Sequence, residues 1–242
     1  MLKSHYKDIA DNQDKLWWYL GMAAINKSLI EKYLPKKGNL KILDAGCGPG
    51  AMLPLLQEFG DVIGVDLSDN ALKYAKKRGN VQKGDITELK FKNNTFDLVV
   101  CMDVMYHTWV ADENAALKEF NRVLKKGGVL LVREPAYNWM RGNEDKGSMT
   151  TRRFSKNVLQ QKLIQNKFEI LKISYANFFL FPLVLAVRLK TMLSKKVGSS
   201  DMSVPPSLIN SLFLNILKLE SILIRFVSLP FGSSLIAISC KK

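Results

Sequence analysis

Between Leu40 and Leu56 the chain reads LKILDAGCGPGAMLPLL, and this stretch constrains the fold more than any other. A short apolar run closes on Asp44, glycines follow at 46, 48 and 50, and a helical pattern takes over. Glycine at 46 and 48 lets backbone approach a ligand closely, and glycine at 50 lets the helix pack on a sheet. The same alternation continues downstream. Strands are expected at 41–45, 61–66, 80–85, 96–102 and 128–134, with further strands at 167–176 and 234–242. Helices are expected at 50–59, 69–78, 113–124 and 155–166. Apolar strands that do not alternate in polarity, separated by helices, belong to a parallel sheet covered on both faces.

The first forty residues read as helix, polar at first and then apolar at helical spacing, ended by Pro35 and Gly38. At the other end, 57 residues (177–233) separate the last two strands, with helical patterns at 178–194 and 207–227. A connection that long implies a lid or a binding surface, or helices that simply cover a sheet edge. Three units follow: an N-terminal helical cap at 1–37, a core at 38–176 plus 230–242, and a helical insertion at 177–229.

Charge is unevenly spread. Residues 151–242 hold 14 Lys/Arg and only 3 Asp/Glu, so they carry +11 of the net +14. That half is also rich in Leu, Ile and Phe. It points to an anionic amphiphile, an acidic peptide or a membrane surface as partner, with solvated helix faces as the competing reading. The longest uninterrupted apolar run, Phe178 to Val187, is too short to span a bilayer. No signal-peptide core follows Met1. Three cysteines without a C-x-x-C pair argue against a disulfide framework or a zinc site. Together these predict a cytoplasmic protein, with peripheral membrane contact as an extension.

The glycine loop alone is ambiguous, because Gly46, Gly48 and Ala51 also satisfy the dinucleotide fingerprint. Three carboxylates discriminate. Asp44 stands directly before the loop, where it would repel a pyrophosphate and suit a cationic amino group. Asp66 closes the next strand, where it can accept both hydroxyls of a ribose. Asp85 closes the third, within reach of an adenine amino group. Adenosine with a cationic amino-acid tail meets all three.

With these residues in place, the chain resembles a class I S-adenosylmethionine-dependent methyltransferase of the type-11 kind. LDAGCGPG matches the glycine motif, VIGVDLSDNALKYAKK the ribose strand and its helix, and GDITELKFKNNTFDLVVCMDVMYHTWVADENAALKEFNRVLKKGGVLLV the block through the fifth strand. The resemblance implies a Rossmann-like, seven-stranded, mostly parallel sheet with an antiparallel last strand. It implies S-adenosylmethionine as cofactor, no metal, and contacts from Asp44, Ala45, Gly46, Cys47, Gly48, Gly50, Asp66, Leu67, Asp85, Ile86 and Met102. Residues 135–189 and the C-terminal LPFGSSLIAIS are similar to a narrower subgroup, which Asp145, Arg152, Arg153 and Phe154 fit. Thr150 replaces the subgroup's histidine and Met22 an arginine of its LWWYLGM-like segment.

Methyl transfer from a sulfonium is an in-line displacement that positioning alone can accelerate strongly. His107, just after the fourth strand, is the candidate proton acceptor; a histidine that merely ties the loop is its competing role. Tyr6, Trp18, Tyr106, Tyr137, Arg152 and Arg153 are the expected substrate contacts. The aromatic run WWY (17–19) either walls the site or docks a helix, and Arg152 or Arg153 either clamps a substrate anion or pairs with Asp145 or Glu144. The expected acceptor is a small molecule or peptide with an apolar portion, such as a lipid, isoprenoid or polyketide. An RNA methyltransferase and a cofactor-binding scaffold without catalysis are the alternatives. Against nucleic acid stands CMDV, which lacks an [ND]-P-P-[FY] motif; against a dehydrogenase stands the lack of a second nucleotide-binding half.

Overall fold

The computed structural model of the chain describes residues 3–34, 39–141, 145, 149–193 and 203–242. The apolar runs become one sheet: β1 (Leu40–Ala45), β2 (Gly60–Asp66), β3 (Asn80–Lys83), β4 (Phe96–Met102), β5 (Leu124–Pro135), β6 (Phe168–Ala176) and β7 (Ser234–Lys241). Their spatial order is β3-β2-β1-β4-β5-β7-β6. The first five strands are parallel, and β7 inserts antiparallel between β5 and β6. This is the expected seven-stranded Rossmann-like sheet. Chain order reverses between β1 and β4, so a crevice opens above their C-terminal ends.

Among the described residues these α-helices accompany the strands: α1 (Lys3–Asn12), α2 (Trp17–Tyr33), α3 (Leu53–Gln57), α4 (Asp69–Ala75), α5 (Glu113–Val123), α6 (Lys156–Gln165), α7 (Phe181–Leu193) and α8 (Ser207–Phe226). Neighbouring strand residues point to opposite faces, and both faces are covered. Leu43, Val99 and Leu130 pack with Phe120 of α5 and Leu163 of α6. Ile42, Leu98 and Leu131 pack with Ile25 of α2 and Leu217 of α8. Burial on both sides explains why these strands read as continuous apolar runs.

Several boundaries differ from expectation for local reasons. The N-terminal helix is two helices, broken at Gln13–Leu16, where Leu16 is extended. Pro35–Gly38 lie outside the described residues. Helix α3 starts late because Gly50 holds a left-handed turn (φ +90°) and Pro54 suits the first helical turn. Strand β3 stops before Asp85, whose carboxylate instead accepts from the backbone N–H and hydroxyl of Thr87.

Helices α2 and α8 run parallel, in contact along their length. The Trp17 backbone N–H donates to Asn210 Oδ1 (2.9 Å), and Ser28 Oγ donates to the Ser221 carbonyl (2.5 Å). Leu217 seats against Gly21 and Ile224 is fully buried; burial of each such side chain contributes about 1.5–3 kcal/mol. Glu220, also buried, accepts from the backbone N–H groups of Asn177 (2.6 Å) and Phe178 (2.8 Å), pinning the chain as it leaves β6.

Candidate active site

The C-terminal end of β1 turns at Gly46 (φ +82°), where a Cβ would fall 2.4 Å from Val104. Gly48 is also left-handed (φ +53°), yet a Cβ there would meet nothing within 4 Å. The first glycine is demanded by packing; the second leaves open space beside the backbone. Asp44 lies beneath this loop, 2% exposed, and its Oδ2 has no hydrogen-bond partner. Burial, and then the charge of Asp66, push its carboxyl up to about 7. An orphaned buried carboxylate oxygen beside an open cradle is the arrangement a cationic group would complete.

Asp66 ends β2 with both oxygens oriented by backbone. Oδ2 accepts from Gly48 N–H (2.9 Å) and Oδ1 from Ser68 N–H (2.8 Å). Burial raises its pKa while those N–H groups oppose the shift. The N-terminal segment closes over this edge. Tyr6 of α1 is buried, its hydroxyl pKa raised chiefly by that burial, and its hydroxyl is hydrogen-bonded to Ser68. Asp14 forms a bidentate pair with Arg78 (2.6 and 2.7 Å), and Arg78 Nε donates to the Gly50 carbonyl (2.9 Å).

A cavity of about 850 Å³ extends from the glycine loop past Met102 to a wall of aromatic and aliphatic side chains. Trp17, Trp18 and Tyr19 of α2 all line it, and Trp17 meets Phe213 of α8 edge-on at 5.3 Å. Trp18 stacks over the Arg133 guanidinium, 5.1 Å from its ring centre. Arg133, at the end of β5, pairs with Asp103 Oδ2 (2.5 and 3.1 Å). Asp103 follows β4 in a left-handed conformation (φ 56°), which aspartate tolerates better than most residues.

The same loop presents Tyr106 and His107 to the cavity. His107 is 3% exposed and stacks on Trp109 at 3.9 Å. The loop is held from below by Glu134, whose Oε1 accepts from the N–H groups of Met105 (2.9 Å) and Val104 (3.3 Å). Complete burial, and then the nearby Asp103, push the Glu134 carboxyl well above the usual carboxylate range. Thr150 bridges to His107 through backbone, and Met22 is buried in the core beneath α2.

Of the predicted cofactor contacts, Asp44, Gly46, Cys47, Gly48, Asp66 and Met102 line the cavity. Ala45, Gly50, Leu67, Asp85 and Ile86 do not: Ala45 and Ile86 are buried in the core and Leu67 faces solvent. Among the predicted substrate contacts, Tyr6, Trp18, Tyr106 and Arg153 line it with His107. Tyr137 instead stacks on Tyr175 (5.0 Å), and Arg152 pairs with Glu113. Arg153 is bound to Asp145 (2.8 Å), which Arg188 of α7 approaches to 3.8 Å from its other oxygen. Glu144, the other expected partner, lies outside the described residues.

Sequence reasoning missed the Asp103–Arg133 pair. Its signal was present: a charged residue directly follows one buried strand and another closes the next, both at the edge where ligands sit.

Comparison with known proteins agrees with this fold. Residues 43–132 match the family model described as a methyltransferase domain. A demethylmenaquinone methyltransferase of Staphylococcus aureus is 35% identical over 136 residues, 52% of each chain. A sterol 24-C-methyltransferase of Aspergillus fumigatus is 35% identical over 115 residues, 43% of this chain and 29% of the other. The chain spans about half the length, or less, of the curated relatives it matches. Among solved structures, an S-adenosylmethionine-dependent methyltransferase from Archaeoglobus fulgidus superposes with a TM-score of 0.60 at 18% identity. That match covers 90% of this chain and 94% of the other, which establishes the shared fold.

Proposed function

We propose that the protein, whose residues 43–132 match the methyltransferase-domain family model, transfers a methyl group from S-adenosylmethionine to a small molecule with an apolar portion. One observation carries this reading: a single cavity joins the orphaned Asp44 carboxylate and the open Gly48 cradle to an aromatic and aliphatic wall. The relatives named for a quinone and a sterol support the apolar acceptor.

The residues fit the cofactor. Asp44 would face its ammonium, Gly48 would give it backbone room, and Asp66 would take the ribose hydroxyls. When bound, S-adenosylmethionine supplies an electrophilic methyl whose bond to sulfur breaks as the acceptor's lone pair bonds to carbon, leaving a thioether. The chain aligns the acceptor: Trp17, Trp18 and Tyr19 exclude water and offer electron-rich faces to positive charge. Arg133 braces Trp18 from behind and is itself held by Asp103. His107 accepts the proton the acceptor releases, and Tyr106 shapes its approach. In this reading 1–37 is the cap, 38–176 with 230–242 the catalytic core, and 177–229 closes the acceptor end.

Calorimetric titration with S-adenosylmethionine, followed by mass spectrometry of cell metabolites incubated with protein and cofactor, tests the proposal. Expected are saturable binding and the gain of one methyl group in an apolar fraction. Tight binding with no methylated product in any fraction would leave a scaffold instead. His107→Gln is expected to lower kcat and flatten its pH profile while leaving cofactor affinity unchanged; an unchanged profile would remove His107 from the reaction.

A further inference from the structure

Among the described residues, thirteen of the nineteen exposed large hydrophobics lie between Phe179 and Phe231, so exposed apolar surface is concentrated in one stretch of the chain. On α8 they form an ordered stripe. Leu208, Leu212, Leu219, Ile222 and Phe226 recur at helical spacing along the outer face, between 57% and 84% exposed. The opposite face, with Leu217 and Ile224, is the one seated on α2. Monomeric proteins rarely present such a stripe to water without a partner.

Charge and geometry identify the partner. Cations flank the stripe: Lys218 is exposed on α8, and Lys32 lies 5.9 Å from the Phe226 ring while donating to the Arg225 carbonyl. The only acid on α8, Glu220, is buried on the inner face. By length and composition α8 could cross a membrane, with a mean hydropathy of 1.5, which the longest uninterrupted apolar run did not predict. Its inner face is already occupied by α2, however, and its buried carboxylate holds the start of the 177–179 turn. A helix with one face committed to the protein and the other apolar and edged by cations lies along a bilayer rather than through it.

We propose that the outer faces of α7 and α8 dock this protein on an anionic lipid bilayer, with the cavity opening onto the docked surface. Leu183 and Val187 of α7 both line the cavity and are 45% and 42% exposed, so the apolar end of the cavity is open to solvent beside α7. An apolar acceptor then enters from the bilayer without crossing water. That route rests on the methyl-transfer reading; the docking does not.

Co-sedimentation of the full chain, without cofactor, tests the docking. The probes are vesicles of phosphatidylcholine alone and of phosphatidylcholine with phosphatidylglycerol. Binding is expected with the anionic vesicles, weaker with the neutral ones, and reduced by salt. The double variant Leu212→Glu/Leu219→Glu is expected to lower the partition coefficient by about tenfold or more. Val158→Glu/Ile164→Glu, on the exposed face of α6, is expected to leave it unchanged, with circular dichroism showing both variants folded. Absence of wild-type binding, or equal binding of the α8 variant, overturns the proposal. So does a dimer in lipid-free buffer that the α8 variant splits, which would assign the stripe to a second copy of the chain. Vesicle binding without any methylated product would count against the proposed function alone; methylation without vesicle binding would count against docking alone.

Discussion

Asp44 is the residue where stability and binding are most directly opposed. Its carboxyl is pushed from 3.8 to about 7 by burial and by Asp66, so the native state holds that proton more tightly than the unfolded chain does. Its contribution to stability therefore falls as pH rises from about 4 to about 7 and is level above. The melting temperature of the ligand-free protein should decline over that window, and less so in Asp44→Asn. Cofactor affinity should move oppositely, rising with pH through about 7, because the cation needs the ionised carboxylate. Calorimetry across pH checks both, and Asp44→Asn should bind weakly at every pH. The two left-handed glycines separate in the same way. Gly46→Ala drives a methyl into Val104 and also carries the left-handed penalty, so it should cost about 2–5 kcal/mol in urea denaturation. Gly48→Ala has room in the fold, so it should cost only the left-handed penalty, about 1–2 kcal/mol. Its larger effect should be on cofactor affinity, because the methyl occupies the cradle.

At the scale of elements, two contacts decide whether the helices stay on the sheet. Glu220 satisfies consecutive backbone N–H groups at a turn that is buried at Asn177 and half-buried at Phe178, and Glu220→Ala should cost about 1–3 kcal/mol, read from the denaturation midpoint. Deleting 178–229 outright would also strip Leu217 and Ile224 from the core, so it tests the fold rather than a lid. The Asp14–Arg78 pair behaves differently. Asp14 is largely exposed, and such pairs contribute only about 0.2–1 kcal/mol. Yet Arg78 also grips the Gly50 carbonyl, so Asp14→Ala should barely shift the melting temperature while raising the cofactor dissociation rate, measured by stopped flow.

Across the whole molecule, thiol chemistry reports on closure. Cys47 and Cys101 are buried, and burial pushes both thiols up, away from the reactive thiolate. Only Cys240 is partly exposed, so Ellman's reagent should label the native protein at no more than one site promptly and all three after denaturation. Cys47 lines the cavity, and bound cofactor should slow its labelling further.

The sequence by itself determined the sheet, the glycine loop and its carboxylates. Each is written locally: burial on both faces makes continuous apolar runs, and a left-handed turn demands glycine where it falls. Asp44 was legible as a candidate contact for the same reason, since an acid closing a buried strand has few structural uses, and the structure places it at the cavity. Only the tertiary structure decided the rest. Arg153 and Arg152 were equal candidates in the chain, but Arg153 meets Asp145 at the cavity while Arg152 is drawn away by Glu113. Asp103 and Arg133 are thirty residues apart and become a pair only because β4 and β5 lie in register. Both faces of α8 carry large apolar side chains, and only packing against α2 buries one and leaves the other to solvent. Such pairings depend on distances between elements, which no local pattern of residue types encodes.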